Sequence, residues 1–208
     1  RLALADGQGS AGAKVSSRTV TVKVEVAEAP ADKDRKVGSG ARDVRLFRNG
    51  SLVKVWRGDV LQGKGNKVVL ETTVPVIAGE NRLIAYAFNR DNIKSADAAF
   101  TVTGADSLKR PATAYVLAVG INQYFNGRYD LRYAVADAEA FAAEIKRQQS
   151  NLGMFSQIEV IPLLNQEATR ANILLALKRL SGTETGALPP GTPAILSKLK
   201  PAEPEDTL

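Results

Sequence analysis

From Arg18 the chain alternates between apolar and polar residues. Val20, Val22, Val24 and Val26 fall among Thr19, Thr21, Lys23 and Glu25, and this period of two predicts a half-buried strand. Further β-prone runs follow at 44–47, 51–56, 66–76, 81–89 and 96–104. Asn49-Gly50 separates the first two of these, and Asn-Gly is a strong hairpin signal because both turn residues need positive φ. Gly79-Glu80 and Arg90-Asp91-Asn92 read as the later turns, and residues 29–41 as a charged loop. Six short strands of this spacing predict an antiparallel β-sandwich of immunoglobulin-like size over residues 14–104, with Trp56 and Tyr86 as candidate core aromatics. Residues 1–13, rich in Gly, Ala and Ser, read as a linker or the end of a preceding domain.

After a short linker the period changes. Residues 114–121 are almost continuously apolar, as in a strand buried on both faces. Leu131, Ala134, Val135, Ala138, Phe141, Ala142 and Ile145 recur at helical spacing and predict one apolar stripe. Residues 157–164 read as a second strand, where Pro162 suggests an edge. Thr169 is placed to cap a second helix with an apolar face of Ile173, Leu174, Leu177 and Leu180, and Gly182 is placed to stop it. Strand–helix–strand–helix predicts an α/β domain with a parallel sheet over residues 112–208. A Gly/Pro-rich loop (183–193) and one or two helical turns then lead to Thr207-Leu208, which reads as the start of a third strand. Two parallel strands cannot bury both faces well, so the domain is expected to be incomplete, and both ends of the chain read as cut.

Composition narrows the chemistry. The chain has no Cys and no His, which excludes Cys–His and Ser–His catalysis within it and leaves zinc only carboxylate ligands. The net charge of +6 lies in the first half, where 17 Lys and Arg face 11 Asp and Glu between residues 1 and 104. The signs are interleaved and aromatics are few, so a nucleic-acid partner is not expected. No apolar run is long enough to span a bilayer, no signal peptide is visible, and the compartment stays open. The loop after the first α/β strand, Val119-Gly120-Ile121-Asn122-Gln123-Tyr124, lacks the glycines of a dinucleotide fingerprint, so no cofactor is expected. Asp32 and Asp34 suggest calcium only faintly among Lys33, Arg35 and Lys36, and Asn49-Gly50-Ser51 is formally a glycosylation sequon. Asp137 lies early in the first α/β helix, about 40° from Phe141, at the expected boundary of the buried face. There it serves either as a boundary residue favoured by the helix dipole or as an anion in a substrate pocket.

Gly120-Ile121-Asn122 after the first strand, Leu131 with Ala134, Asp137 and Ala138 on the helix, and Ala168-Thr169-Arg170-Ala171-Asn172-Ile173 opening the second form one pattern. It resembles the opening of the caspase-like peptidase domain shared by caspases, metacaspases and bacterial relatives, over about residues 112–208. With VRLFRNG at 44–50 and GENRLIAYAFNRDNIKS at 79–95, the preceding β module resembles those that stand before such domains in bacterial multidomain chains. The resemblance implies a cysteine endopeptidase whose catalytic His follows a third strand and whose Cys follows a fourth, so this chain holds no catalytic residue and is expected to be inactive alone. It also implies that Asp137 matches the carboxylate that pairs with a basic P1 side chain. Where the metacaspase pattern has Gly-Cys and Asn before this Asp, this chain has Tyr133-Ala134-Val135-Ala136. The rival expectations are a pseudo-protease or adaptor in which both domains bind protein partners, and a generic doubly wound domain, flavodoxin- or receiver-like, which predicts a strand-end Asp cluster or phosphate loop that does not follow Ile121.

Overall fold

The computed structural model describes residues 1–5, 12–34, 36–153 and 155–208, with the backbone alone at 150–152. The chain divides into two compact units, Arg1–Lys109 and Arg110–Leu208.

The first unit holds β1 (Leu2–Leu4), β2 (Lys14–Val15), β3 (Thr19–Ala27), β4 (Arg42–Arg48), β5 (Ser51–Asp59), β6 (Lys67–Pro75), β7 (Gly79–Phe88) and β8 (Ala98–Gly104). They form a three-stranded sheet in the order β1-β3-β6 and a five-stranded sheet in the order β2-β8-β7-β4-β5. The valine alternation of β3 works as expected. Val22, Val24 and Val26 are buried and meet Val44, Leu46, Leu83, Ala85 and Val102 of the other sheet in one core. The unit is therefore a β-sandwich. Each such Val or Leu contributes on the order of 1.5–3 kcal/mol when fully buried. Asn49 and Gly50 take φ of 48° and 86°, the turn that Asn-Gly predicts. The Asn49 side chain accepts from Arg82 N at 2.7 Å and donates to Glu80 O at 3.1 Å, so the sequon amide is engaged in holding the turn to β7.

Three expectations change here. Leu2–Leu4 form a strand paired antiparallel with β3, with Leu2 in the core of this unit, where a linker or the end of a preceding domain was expected; residues 6–11 of that segment lie outside the described residues. Gly79-Glu80 open β7 and do not form its preceding turn. That turn is built by Asn81, 1% exposed, whose side chain accepts from Ile77 N and donates to Ile77 O and Gly79 O. Tyr86 faces away from Leu83 and Ala85 and stacks on Phe47 with ring centroids 5.5 Å apart, outside the core, whereas Trp56 packs against the core. A bulge in β4 sets Asp43 at φ 49°, where it accepts from Gly58 N. That bond, and then the Arg42 side chain, hold the Asp43 carboxyl below its usual range.

The second unit is built on β9 (Thr113–Gly120) and β10 (Gln157–Leu164), paired in parallel from Thr113↔Gln157 to Gly120↔Leu164. Helix α1 (Ala134–Leu152) packs on one face of this pair. Helices α2 (Arg170–Leu180) and α3 (Ala194–Lys198) cover the other, where Ala176, Leu180 and Leu196 pack with Ile161, Leu163, Tyr115 and Leu117. Thr169 caps α2 by accepting from Asn172 N at 3.1 Å, as its position predicts. Arg179 donates to Glu184 O and Gly186 O and so holds the Gly/Pro-rich loop against α2. Thr207 joins β9 as a parallel bridge to Ala114, with Tyr115 N donating to Thr207 O at 2.8 Å and Thr207 N to Thr113 O at 3.0 Å. Residues 113 and 115 point these groups away from β10, so Thr207 stands on the opposite edge of β9.

The stripe predicted for α1 is partly wrong. Ala142 is buried and Ala134, Val135, Ala138 and Ile145 are half-buried, but Leu131 precedes the helix and Phe141 is exposed. The reason is close approach. A Cβ on Gly120 would lie 2.6 Å from Ala134 O and 2.9 Å from Val135 Cα, so α1 meets the sheet backbone to backbone and only small residues fit between.

Candidate functional site

Ligands of open α/β sheets bind beyond the carboxyl ends of the strands. In this chain that edge is formed by Gly120-Ile121-Asn122 after β9, Asn165 after β10, and the first turn of α1 with Asp137. Tyr133, at the N-cap of α1, makes no side-chain cap. Asn122 does this from outside the helix: its Oδ1 accepts from Val135 N at 3.0 Å and its Nδ2 donates to Arg132 O at 3.3 Å. Its carbonyl accepts from Leu131 N at 2.9 Å, which closes the intervening loop. Its own N–H donates to Asn165 Oδ1 at 2.9 Å, and Asn165 holds φ 48°. Two asparagines thus tie both strand ends to the start of α1.

The loop from Gln123 to Tyr133 is held from within by Asp130, which accepts from Tyr124 N at 2.8 Å, and by Asn126, which accepts from Arg128 N at 3.1 Å. Its large side chains point to solvent. Phe125 is fully exposed, and Tyr129, Tyr133 and the nearby Phe141 are each more than half exposed.

Asp137 is exposed on the first turn of α1, where the helix dipole favours a carboxylate. With Phe141 outside the buried face, Asp137 lies in solvent and not at the boundary that the sequence suggests. It shares the strand-end edge with Asn122 and Asn165, neither of which is a titratable group. The sequence pattern marks Asn122 but gives no sign that it caps a helix starting twelve residues later, and nothing local marks Asn165.

Tyr115, on β9 toward the opposite end of the sheet, has its hydroxyl pKa raised by burial and then by Asp206, Glu159 and Glu203. In the sandwich, Asp32 Oδ1 accepts from Asp34 N in a local turn. Among the described residues no group of three or more Asp or Glu is arranged to hold a metal ion, and no helix is long and apolar enough to cross a membrane.

One variant pair tests the tie at Asn122. N122A is expected to destabilise the second unit by about 1–2 kcal/mol, the usual range for a lost helix cap. N122D keeps an acceptor for Val135 N, adds a charge of the favoured sign, and should recover more than half of that loss. Equal losses in both variants, by denaturant unfolding followed through helical ellipticity, would mean that Asn122 does not act as a cap.

No family model matches the chain. No curated protein matches it. Among solved structures it is similar to the fibronectin(III)-like modules of Clostridium thermocellum CbhA, at 12% identity over 50% of this chain and 99% of that one, with a TM-score of 0.29. It is also similar to a Jonesia denitrificans lytic polysaccharide monooxygenase, at 15% identity over 45% and 58% of the two chains, with a TM-score of 0.31. A third likeness is to CopC from Methylosinus trichosporium OB3b, at 16% identity over 48% and 91%, with a TM-score of 0.26. None of these three names a peptidase.

Proposed function

We propose that residues 112–208 are the opening βαβα segment of a caspase-like cysteine endopeptidase domain, preceded by an immunoglobulin-like module. The catalytic His and Cys then belong to sequence beyond Leu208. The observation that carries this reading is Thr207 on the edge of β9 opposite β10. It begins the strand order 2-1-3, in which a third parallel strand lies beside the first, an order shared by doubly wound α/β folds. What separates the caspase-like reading from other such folds is the Gly120-Ile121-Asn122 pattern and its counterpart at Ala168-Thr169-Arg170. The geometry gives these residues reasons to be there. Gly120 admits α1, Asn122 caps it, and Thr169 caps α2.

In this reading the chain's own residues build a frame and do no chemistry. The Asn122–Asn165 tie fixes the strand-end edge, and Asp137 stands on it as an exposed anion that pairs with a basic P1 side chain. The thiolate and its base come from strands beyond Leu208. The chain of 208 residues is therefore expected not to hydrolyse peptides with Arg, Lys or Asp at P1. In a longer chain that does, D137N should lower kcat/KM for Arg and Lys substrates by about tenfold or more and leave an Asp substrate unaffected, as expected when a carboxylate–guanidinium pair is removed. Turnover by a contaminant-free preparation of the 208-residue chain would remove the proposal.

The exposed Phe125, Tyr129, Tyr133 and Phe141 favour the second reading, a protein-binding scaffold with the same fold. A longer chain without the His and Cys would select it.

A further inference from the structure

We propose that the outer face of the five-stranded sheet docks an acidic amphipathic helix of a partner protein. This goes beyond the peptidase reading and rests on the first unit alone. The faces of an antiparallel sandwich that look away from the core are ordinarily polar. The three-stranded sheet obeys this rule. On its outer side Thr21 is paired with Thr73, Lys23 meets Glu71 at 3.3 Å, and Lys67 meets Glu25 at 2.8 Å.

The five-stranded sheet does not. Leu83 and Ala85 of β7 are buried inward, so Ile84, Tyr86 and Phe88 alternate outward. Phe47 of β4, opposite Ile84, stacks on Tyr86, and Phe88 stands edge-on to Tyr86 with ring centroids 5.7 Å apart. Leu52 of β5, opposite Phe47, carries the band to the sheet edge and is 52% exposed. None of these five side chains packs against the sandwich core. A contiguous outward apolar band of this kind marks an interaction surface.

The charges choose the partner. Lys94 Nζ lies 4.5 Å from the centroid of the Tyr86 ring, and Arg45 Cζ lies 5.2 Å from that of Phe88. These cations take up ring faces on which a nucleic-acid base would stack. Lys94 is offset by Asp97, and Glu80 accompanies Arg82 on the outward row of β7. Arg45 is exposed, and its guanidinium has no carboxylate partner among the described residues. A guanidinium stacked on a ring keeps its in-plane donors for a carboxylate, which it binds through two bonds. The fitting occupant therefore joins apolar side chains to carboxylates. A helix does so with an apolar stripe for the band across β5, β4 and β7 and an acidic flank for Arg45.

The test titrates the 208-residue chain with a helical peptide of about sixteen residues, leucines on one face and glutamates on the other, followed by backbone amide NMR and calorimetry. A second peptide carries lysine in place of every glutamate. Saturable binding of the acidic peptide alone, with the largest shifts at Phe47, Leu52, Tyr86 and Phe88, is the expected result. R45E alters an exposed side chain and should keep the wild-type melting temperature. It should weaken the acidic peptide by about tenfold or more and gain binding of the lysine peptide, as expected when one side of a charge pair is reversed. L52N, at the exposed end of the band, should weaken the acidic peptide severalfold without any gain for the lysine peptide. No saturable binding of the acidic peptide, unchanged affinity in both folded variants, or shifts centred on Thr21, Lys23 and Thr73 would overturn the proposal. So would equal binding of oligothymidylate at the same residues, which would make this a nucleic-acid surface. A dimer in sedimentation that buries the band would also overturn it, because the occupant would then be a second copy.

Discussion

Replacing Gly104 by alanine is expected to lower the melting temperature of the sandwich by roughly 15 °C, corresponding to about 3 kcal/mol for a unit of this size. A Cβ at this position would lie 2.0 Å from Ile77 O and 2.9 Å from Ile77 C. The obstacle is backbone, so no side-chain rotation relieves it. Moving Ile77 also disturbs the two bonds it makes with the buried Asn81 amide, and a buried amide stripped of partners is costly in its own right. Trp56 is the single tryptophan and packs against the sandwich core, so its emission reports this unit selectively. Gly50→Ala is the comparison: at φ 86° with open space around it, it carries backbone strain alone, of order 1–3 kcal/mol. If G104A melts with the wild-type midpoint, the packing of β8 on the 76–78 turn is wrong.

Gly120→Ala carries a similar expected loss, about 3 kcal/mol, in the second unit. Its Cβ would meet Ala134 O at 2.6 Å and Val135 Cα at 2.9 Å. Helix α1 would have to retreat from β9, and Val135 N would leave Asn122 Oδ1. The loss should therefore overlap with that of N122A, and the double variant should fall short of the sum of the two. Helical ellipticity follows this unit, because both long helices lie in it. Full additivity of the two changes would separate the close approach from the cap and contradict the coupling of this loop to α1.

What was legible in the sequence was local. The valines of β3, the Asn49-Gly50 turn and the Thr169 cap each depend on spacing within a few residues, and each is present. What was hidden depends on partners distant in sequence. β1 is a strand only because β3 offers it an edge, and Asn81 makes a turn only because its amide is buried beneath it. Helical periodicity gave the phase of α1 but not its depth. How close α1 comes to Gly120 selects alanine over Phe141 for the buried face, and periodicity carries no distance. At the candidate site the pattern singled out Asp137 and Asn122, but the tie between Asn122 and Asn165 joins two loops 43 residues apart.

A third parallel strand that starts at Thr207 and runs along the free edge of β9 is central to the peptidase reading. Peptide sequencing and intact mass of the native gene product test for it most directly. The expected result is a chain that continues past Leu208 with that strand ending in His-Gly and a fourth strand leading to Cys. A native chain that ends at Leu208, or one that continues with neither residue, would contradict the reading.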